Sequence, residues 1–458
     1  MRTAVILAAG LGTKVWPYGE FRQKCTLPVA NTPIVRRLAL QLKELGFRRL
    51  VVVTGHYGQQ VRGVLADIEG VEFVTQSDPS EGSAIAVLAA LPNGIAEEFL
   101  VAYGDVVMGN ENLKKLVRSF KSSDVEAAAL VQRLDHERPG DWICAGVSGD
   151  RLTSIEGHPR GGSHRLCGIY GFKPSAYDYI RRNPGIFTSV PVGGMPPPEA
   201  ELAQSVQIML DEGREVLAVE CDEFFVDVDK PWHLLEANGR LVDYMARRIK
   251  EDQIASGAQI HDSAEINGKV ILGEGTRIGP RVVINGTLIA GRNDNITNGA
   301  ILNGRILVGD GCRISDYCLV SGHTSIGHRC IIGHGAEMSG VLMDKVYLYH
   351  YCEIFGVFGT ATDIGAATVC GTLRFDDGDT LHRVKGRPEI PTIGANATYM
   401  GEFCRTGVNA IIMPGCKIGS YSIIGPGVVL YEDVPSKTMV LIKQELIKKE
   451  WGPERYGW

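Results

Sequence analysis

Two hydrophobic rhythms divide the chain. Up to about residue 236, short apolar runs alternate with stretches of helical periodicity. Residues 4–7, 50–53, 71–74, 99–103 and 127–131 are apolar or β-branched runs of strand length, several of them bounded by glycine. Residues 34–45, 84–91 and 112–120 repeat their apolar positions at helical spacing. Strands that alternate with helices predict a mainly parallel, Rossmann-like sheet covered on both faces. In such a sheet, ligands sit at the carboxyl ends of the strands. Residues 229–252 carry a helical pattern that leads out of this unit.

From Ile260 onward every sixth residue is aliphatic or small: Ile260, Ile266, Leu272, Ile278, Ile284, Ala290, Ile296, Leu302, and so on to Ile332 and Met338. That spacing fits neither a helix, whose period is about 3.6, nor an alternating strand. It predicts a left-handed parallel β-helix of hexapeptide repeats, in which each inward aliphatic stacks on the one a coil below. Gly273, Gly279, Gly309, Gly327 and Gly333 follow the aliphatic positions, where a turn benefits from a missing Cβ. The rhythm breaks near residues 343–363 and again near 376–391, and it resumes from Ile393 through Met400, Thr406, Ile412, Ile418, Ile424 and Leu430. Breaks in a solenoid predict extruded loops. The expected organisation is an α/β domain over 1–236, a linker helix over 237–257 and a β-helix over 258–437. A short helix and tail follow over 438–458, ending in Trp451-Gly-Pro and Tyr456-Gly-Trp458.

Composition narrows the function classes. A net charge of −6 on 458 residues offers no global attraction to nucleic acid or to an anionic membrane, so any phosphate binding is local. No apolar run approaches the about 18 residues of a membrane span, and no secretory leader is visible. The 11 cysteines include no C-x-x-C pair, which argues against a zinc site and fits reduced thiols in cytoplasm.

Leu7-Ala-Ala-Gly-Leu-Gly-Thr-Lys14 is a glycine-rich turn between a strand and a helix. Glycines let backbone amides approach phosphate closely. The spacing is not that of a Walker loop, and Val15 stands where a dinucleotide fingerprint needs its third glycine. Continued through Pro17, Gln23-Lys24, Leu27-Pro28 and Pro33-Ile34, the segment resembles the signature of sugar-phosphate nucleotidyltransferases. That family usually has Arg at the position of Lys14 and Pro-Lys at Gln23-Lys24. Lys14 keeps the charge but not the bidentate fork.

The resemblance implies roles for further residues. Leu7, Ala9, Gly10, Gly12, Thr13, Gln76, Gly82 and Ser83 would bind the nucleotide. The Gln76 amide, able to donate and accept together, suits a uracil or thymine edge, which favours UTP or dTTP. The spacing after Gln76 is one residue longer than usual, so CTP stays open. Asp105, in Gly104-Asp105, and Asp227, in Phe225-Val-Asp227, resemble the family's two Mg²⁺ ligands, with Lys14 and Lys24 facing the phosphates. Gly140, Glu156, Gly168 and Tyr170 resemble the sugar pocket, although Gly157-His158 stands where the family often has Lys. The implied reaction is NTP plus sugar 1-phosphate giving NDP-sugar and pyrophosphate, held together by positioning and electrostatics.

The second half resembles enzymes that join a nucleotidyltransferase to an amino-sugar-1-phosphate acetyltransferase on one chain. Gly365-Ala-Ala-Thr368, Leu373-Arg-Phe-Asp376, Val384-Lys-Gly-Arg387 and Arg405-Thr-Gly-Val-Asn409 carry that likeness. It implies acetyl-CoA as co-substrate, His350 as the base that takes the attacking group's proton, and a homotrimer. His350 is followed by Tyr-Cys-Glu rather than the family's aromatic-Gly-Asp. Two other readings remain open. One is an acyltransferase or regulatory β-helix protein with an inactive nucleotide-binding domain. The other, for His350 alone, is a loop residue on a purely structural β-helix.

Overall fold

The computed structural model describes residues 1–135 and 137–452. The front domain is a nine-stranded sheet in which Val71–Thr75, at one edge, and then Arg49–Thr54, Thr3–Ala8 and Phe99–Tyr103 run parallel. His164–Phe172 joins antiparallel beside Phe99–Tyr103, and Ala127–Arg133, Val216–Glu220, Arg151–Gly157 and Ile143–Ser148 complete the sheet. The helix Ile34–Glu44 buries Val35, Leu38 and Leu42, spaced three and four apart, against Ile6, Leu50 and Val52 of the sheet. The helices Ser83–Ala90 and Leu202–Asp211 cover the opposite face over Val5, Val51 and Val101. Burial on both faces explains why Thr3–Ala8, Arg49–Thr54 and Phe99–Tyr103 are nearly unbroken apolar runs, while the edge strand Val71–Thr75 keeps Glu72 and Thr75 exposed.

The β-helix stacks two long parallel ladders, one from Gln253–Ile254 to Val429–Leu430 and one from Gln259–Ile260 to Met439–Val440. Coils repeat every 18 residues, as the Asn267–Asn285 side-chain bond marks. The inward aliphatics Ile278, Ile284, Ile296, Leu302, Ile314, Val320 and Ile332 form a single core together with Cys312, Cys318 and Cys330. A column of corner glycines, Gly268, Gly286, Gly304 and Gly322, runs in register along it. At Gly286, with φ +123°, a Cβ would lie 2.0 Å from the carbonyl oxygen of Gly304 one coil on. Only glycine allows the coils to close to ladder distance there.

The two expected breaks have different origins. Around residues 343–363 no loop leaves the β-helix. The register shifts between Ser321 and Ser325, and the following coils repeat every 16 residues. Inward residues continue as Met338, Leu342, Leu348, Ile354, Phe358 and Ile364, all buried. A two-residue slip at a corner breaks a six-residue count without breaking the solenoid. The later break is a true excursion. Between Val369–Cys370 and Thr398–Met400 the chain leaves the coils and forms the hairpin His382–Val384/Arg387–Glu389.

Two segments differ from expectation. The helix after the front domain spans Pro231–Ala246, not 237–257, and the first β-helix strand already lies at Gln253–Ile254. That helix is not a tether. Trp232, Leu234, Leu235, Leu241 and Val242 pack with Tyr18, Leu27 and Val29 of the front domain and with Leu307, Val341, Met343, Val357 and Tyr399 of the β-helix. At the C-terminus, residues 441–450 are exposed and carry no helix. Leu446 and Ile447, 73% and 83% exposed, find no apolar surface, and a short helix without tertiary packing is marginal in water. Residues 453–458 of the expected tail lie outside the described residues.

Candidate active site

The glycine turn leaves the end of strand Thr3–Ala8, beside the ends of Arg49–Thr54 and Phe99–Tyr103. The Leu7 carbonyl accepts a hydrogen bond from Gly104 N at 2.8 Å, which places Asp105 next to the turn. The Ala9 carbonyl accepts from His56 N at 3.1 Å. Gly12 has φ +63°, and a Cβ there would press on Lys24 Cβ at 3.0 Å. Gly10 faces open space, and Thr13 and Lys14 are exposed. Gln23, where the resembling family has Pro, braces the turn. Its Nε2 donates to the carbonyls of Ala8 and Gly10 at 3.0 and 3.3 Å, and its Oε1 accepts from Cys25 N.

Asp105 and Asp227 come together through a two-strand ladder. Val106–Met108 pairs antiparallel with Phe225–Asp227, and Val228 N donates to the Asp105 carbonyl at 3.0 Å. Lys24 Nζ is in close contact with an Asp105 carboxylate oxygen and lies 3.8 Å from Asp229 Oδ1, while Lys14 Nζ lies 3.2 Å from Asp229 Oδ2. Burial alone would depress the Lys24 ammonium. The carboxylates of Asp105, Asp229 and Asp227 outweigh it and hold the ammonium well above its ordinary range. The Asp227 carboxyl is pushed up to about 7, by burial first and then by the Asp105 charge, with Lys24 opposing. At Asp229 burial acts upward, but Lys24 and Lys14 prevail and hold the carboxyl far below its usual range.

Three contributors escaped the sequence reading. Asp229 bridges both lysines, and the D-x-D spacing of Asp227 and Asp229 at a strand end was the available signal. His233, one helical turn beyond Asp229, accepts from Asp229 N through Nδ1 at 3.1 Å. Its ring is pushed down to about 3 by burial and by Lys230, so it acts as a neutral brace. Arg165, 2% exposed, lies over the Trp142 ring at 3.9 Å, and its charge weakly opposes the upward shift of the Asp227 carboxyl. No spacing rule pointed to it, because its partners come from separate strands.

The remaining expected residues are placed unevenly. Gln76 is 5% exposed and its Nε2 donates to the Gly82 carbonyl at 3.2 Å. Ser83 Oγ is already committed, donating to Glu201 Oε2 at 2.8 Å and accepting from Leu202 N and Tyr103 OH. Glu156 is exposed on strand Arg151–Gly157, and the Gly140 carbonyl meets His158 Nδ1 at 3.0 Å. Gly168 sits against the Tyr103 ring. Tyr170, 2% exposed, is in the hydrophobic core, stacked on Phe172 at 5.8 Å. The strand's alternation sends its ring inward rather than to the site. His350 lies far along the β-helix, not in an irregular stretch but at the exposed coil corner 350–351, and its ring lies 4.2 Å from that of His334 one coil below. His334 Nε2 in turn meets Tyr351 OH at 2.9 Å.

Among the described residues, no group of three or more His, Cys, Asp or Glu side chains is arranged to hold a metal. Two carboxylates beside a phosphate turn nevertheless fit a hard cation that completes its shell with phosphate oxygens and water. Burial and the Asp105 charge raise the Asp227 carboxyl, and a cation bound between the two acids would act in the opposite direction.

A nucleotide-handling α/β domain joined to a hexapeptide β-helix is the class these features define. Residues 4–168 match the family of MobA-like NTP transferase domains, and residues 397–432 match the bacterial transferase hexapeptide family. The chain is similar over nearly its full length to several archaeal proteins, two of which follow. One is the bifunctional protein GlmU of Methanococcus maripaludis, 26% identical over 97% of this chain and 98% of that one. The other is the bifunctional sugar-1-phosphate nucleotidylyltransferase/acetyltransferase of Sulfurisphaera tokodaii, 26% identical over 94% and 98%. The inositol-1-phosphate CTP transferase of T. maritima aligns with 51% of this chain and 91% of its own, at 19% identity and a TM-score of 0.44.

Proposed function

We propose that the front domain transfers a nucleotidyl group from an NTP to a sugar 1-phosphate, releasing pyrophosphate, and that the β-helix carries a second, acetyl-transfer activity. The observation that carries the first reading is the cluster of Lys24 with Asp105, Asp227 and Asp229 at the mouth of the glycine turn. Asp105 and Asp227 would hold Mg²⁺, which when bound draws charge from the phosphates. The chain's own groups do the rest. The Gly10–Gly12 amides and Lys14 receive the terminal phosphates, and Lys24 screens the repulsion between the α-phosphate and the incoming sugar phosphate. Asp229 fixes both ammonium groups, so positioning supplies the rate without a covalent nucleophile. The buried Gln76 amide suits UTP or dTTP, and the exposed strand bearing Glu156 suits the sugar.

The test is pyrophosphate release from a panel of NTPs and sugar 1-phosphates with Mg²⁺. Asp105→Asn is expected to lower kcat by ~10²-fold or more, the scale of one preorganised electrostatic group. Near-normal turnover in that variant would remove Asp105 from the metal site.

For the second activity, the proposed base is His350, exposed and held by its neighbours. Acetyl-CoA turnover on glucosamine 1-phosphate is expected to fall ~10²-fold in His350→Ala, and an unchanged rate would leave this ring without a role. We assign a trimer and a cytoplasmic location. An outward column in register is apolar at Val283, Ile301 and Leu319 and again at Val369, Ile411 and Val429, with Glu337 and Glu353 between them, and its apolar stretches support self-association. The free state of all 11 cysteines supports a reducing compartment. Among the described residues, no helix is long and apolar enough to cross a membrane.

A further inference from the structure

The hairpin His382–Val384/Arg387–Glu389 belongs by sequence to the β-helix, yet it is seated on the front domain. Glu389 Oε2 meets Lys230 Nζ at 2.6 Å, with both side chains nearly buried. Lys230 directly follows Asp229, the residue that holds Lys14 and Lys24. Val384 packs into the shared core with Val15 and Trp232, and the His382 ring meets the Trp232 ring at 5.2 Å. The His382 Nδ1 accepts from buried Lys417 at 3.3 Å, and its Nε2 donates to the Ala395 carbonyl at 2.7 Å. The hairpin is therefore fixed, and it is fixed beside the glycine turn.

Between the two lies a cavity of about 190 Å³. Thr13 and Lys14 of the turn, Trp232, and Arg383, Lys385 and Lys417 line it. The charges around it do not balance. Lys14 is paired with Asp229 and Lys417 with Asp433 at 2.7 Å. Arg383 and Lys385 make no ion pair among the described residues. Both are exposed, so nothing in the fold requires a cation at either position. Lys385 is close enough to the site that its charge and that of Lys14 act on the same carboxyl, Glu199. The tight turn at Lys385 and Gly386, with φ +47° and +82°, holds both strands of the hairpin at this position.

We infer that the hairpin is part of the nucleotidyl site, and that Arg383 and Lys385 bind the phosphate chain of the nucleoside triphosphate and of the departing pyrophosphate. The inference rests on the nucleotidyl-transfer reading and extends it to the β-helix. Phosphate oxyanions are the ligands that surplus cations beside a glycine turn accept best, and Arg383 offers the two-pronged geometry that Lys14 lacks. The hairpin faces the Thr13–Lys14 end of the turn, the end that takes the terminal phosphates. A nucleotide bound there would touch both domains at once.

The test uses the full chain with Arg383→Gln, Lys385→Asn and the double variant; Asn tolerates the positive φ at 385. Pyrophosphate binding is measured by calorimetry, and KM for NTP, pyrophosphate and sugar 1-phosphate in the forward and reverse reactions. Roughly tenfold weaker pyrophosphate binding per cation removed is expected, with a parallel rise in KM for NTP and a sugar 1-phosphate KM within about twofold. Active double variant with unchanged pyrophosphate affinity would overturn the inference, as would a rise confined to the sugar 1-phosphate KM. A parent chain that binds pyrophosphate through these residues but turns nothing over would instead sink the enzymatic reading and keep the anion site. A parent that binds no pyrophosphate rejects the site itself.

Discussion

Lys24→Met tests the electrostatic core of the front domain most directly. The substitution keeps an unbranched side chain of similar length and removes one charge. That charge faces three carboxylates, Asp105, Asp227 and Asp229, and its side chain is 14% exposed. Removing one partner of a buried ion pair costs about 3–5 kcal/mol, because the charge left behind is uncompensated. At about 2–4 °C per kcal/mol for a domain of this size, the melting temperature falls by ~6–20 °C in EDTA. The same vacancy makes the acidic cluster a better home for a divalent cation, so Mg²⁺ restores part of the loss in the variant and does little for the parent. Turnover with Mg²⁺ falls as well, since the α-phosphate loses its screen. Thermal unfolding by circular dichroism, with EDTA and with millimolar Mg²⁺, checks all of this. A variant that melts within about 2 °C of the parent and ignores Mg²⁺ would show that the carboxylates do not depend on this lysine.

Two further outcomes follow from the β-helix. Gly286→Ala is expected to cost ~2–6 kcal/mol by chemical denaturation, combining backbone strain at φ +123° with overlap on the Gly304 carbonyl. Gly10→Ala, which meets nothing within 4 Å, is the control, and a loss below ~1 kcal/mol at Gly286 would disprove the tight coil corner. Asp294 is 1% exposed, its Oδ2 has no partner, and burial pushes its carboxyl up to about 7 from the usual 3.8. The folded chain keeps this proton where the unfolded chain has released it, so stability declines as pH rises from about 4 to about 7 and stays reduced above. Asp294→Asn removes a penalty on the order of 2 kcal/mol after solvent screening, so its melting advantage grows by ~4–8 °C between pH 4 and pH 8. A pH-independent difference would refute it.

Much of the architecture was legible because its signals are periodic. Buried parallel strands leave apolar runs, and the six-residue count from Ile260 marks the coils. The count failed at Met338 because two residues dropped out at a corner, which looks in sequence like a loop. Asp105 and Asp227 were legible as strand-end acids in a familiar order. Their companions were harder to see. Asp229 acts through lysines more than two hundred residues earlier, His233 through a backbone amide, Arg165 through a stack of separate strands, and the hairpin cations through a fold-back over more than a hundred residues. Tyr170 misled because a motif gives position but not which face of a strand a ring takes. The C-terminal segment misled because helical spacing promises a helix only where something receives its apolar side.

The descending limb of the glycine turn is bolted to the β-helix. Tyr18 OH donates to the Val357 carbonyl at 2.7 Å, Asn31 Nδ2 to Ile326 at 2.8 Å, and Arg22 Nε to Glu402 at 2.6 Å. A chain cut after residue 250 would lose each of these anchors and lay Leu27, Val29 and Trp232 open to water. The loop meant to grip a triphosphate would then have to find its shape unaided. The solenoid is thus the bench on which the front domain's tool is mounted, and shortening the protein to its conspicuous catalytic half would blunt the part it was meant to isolate.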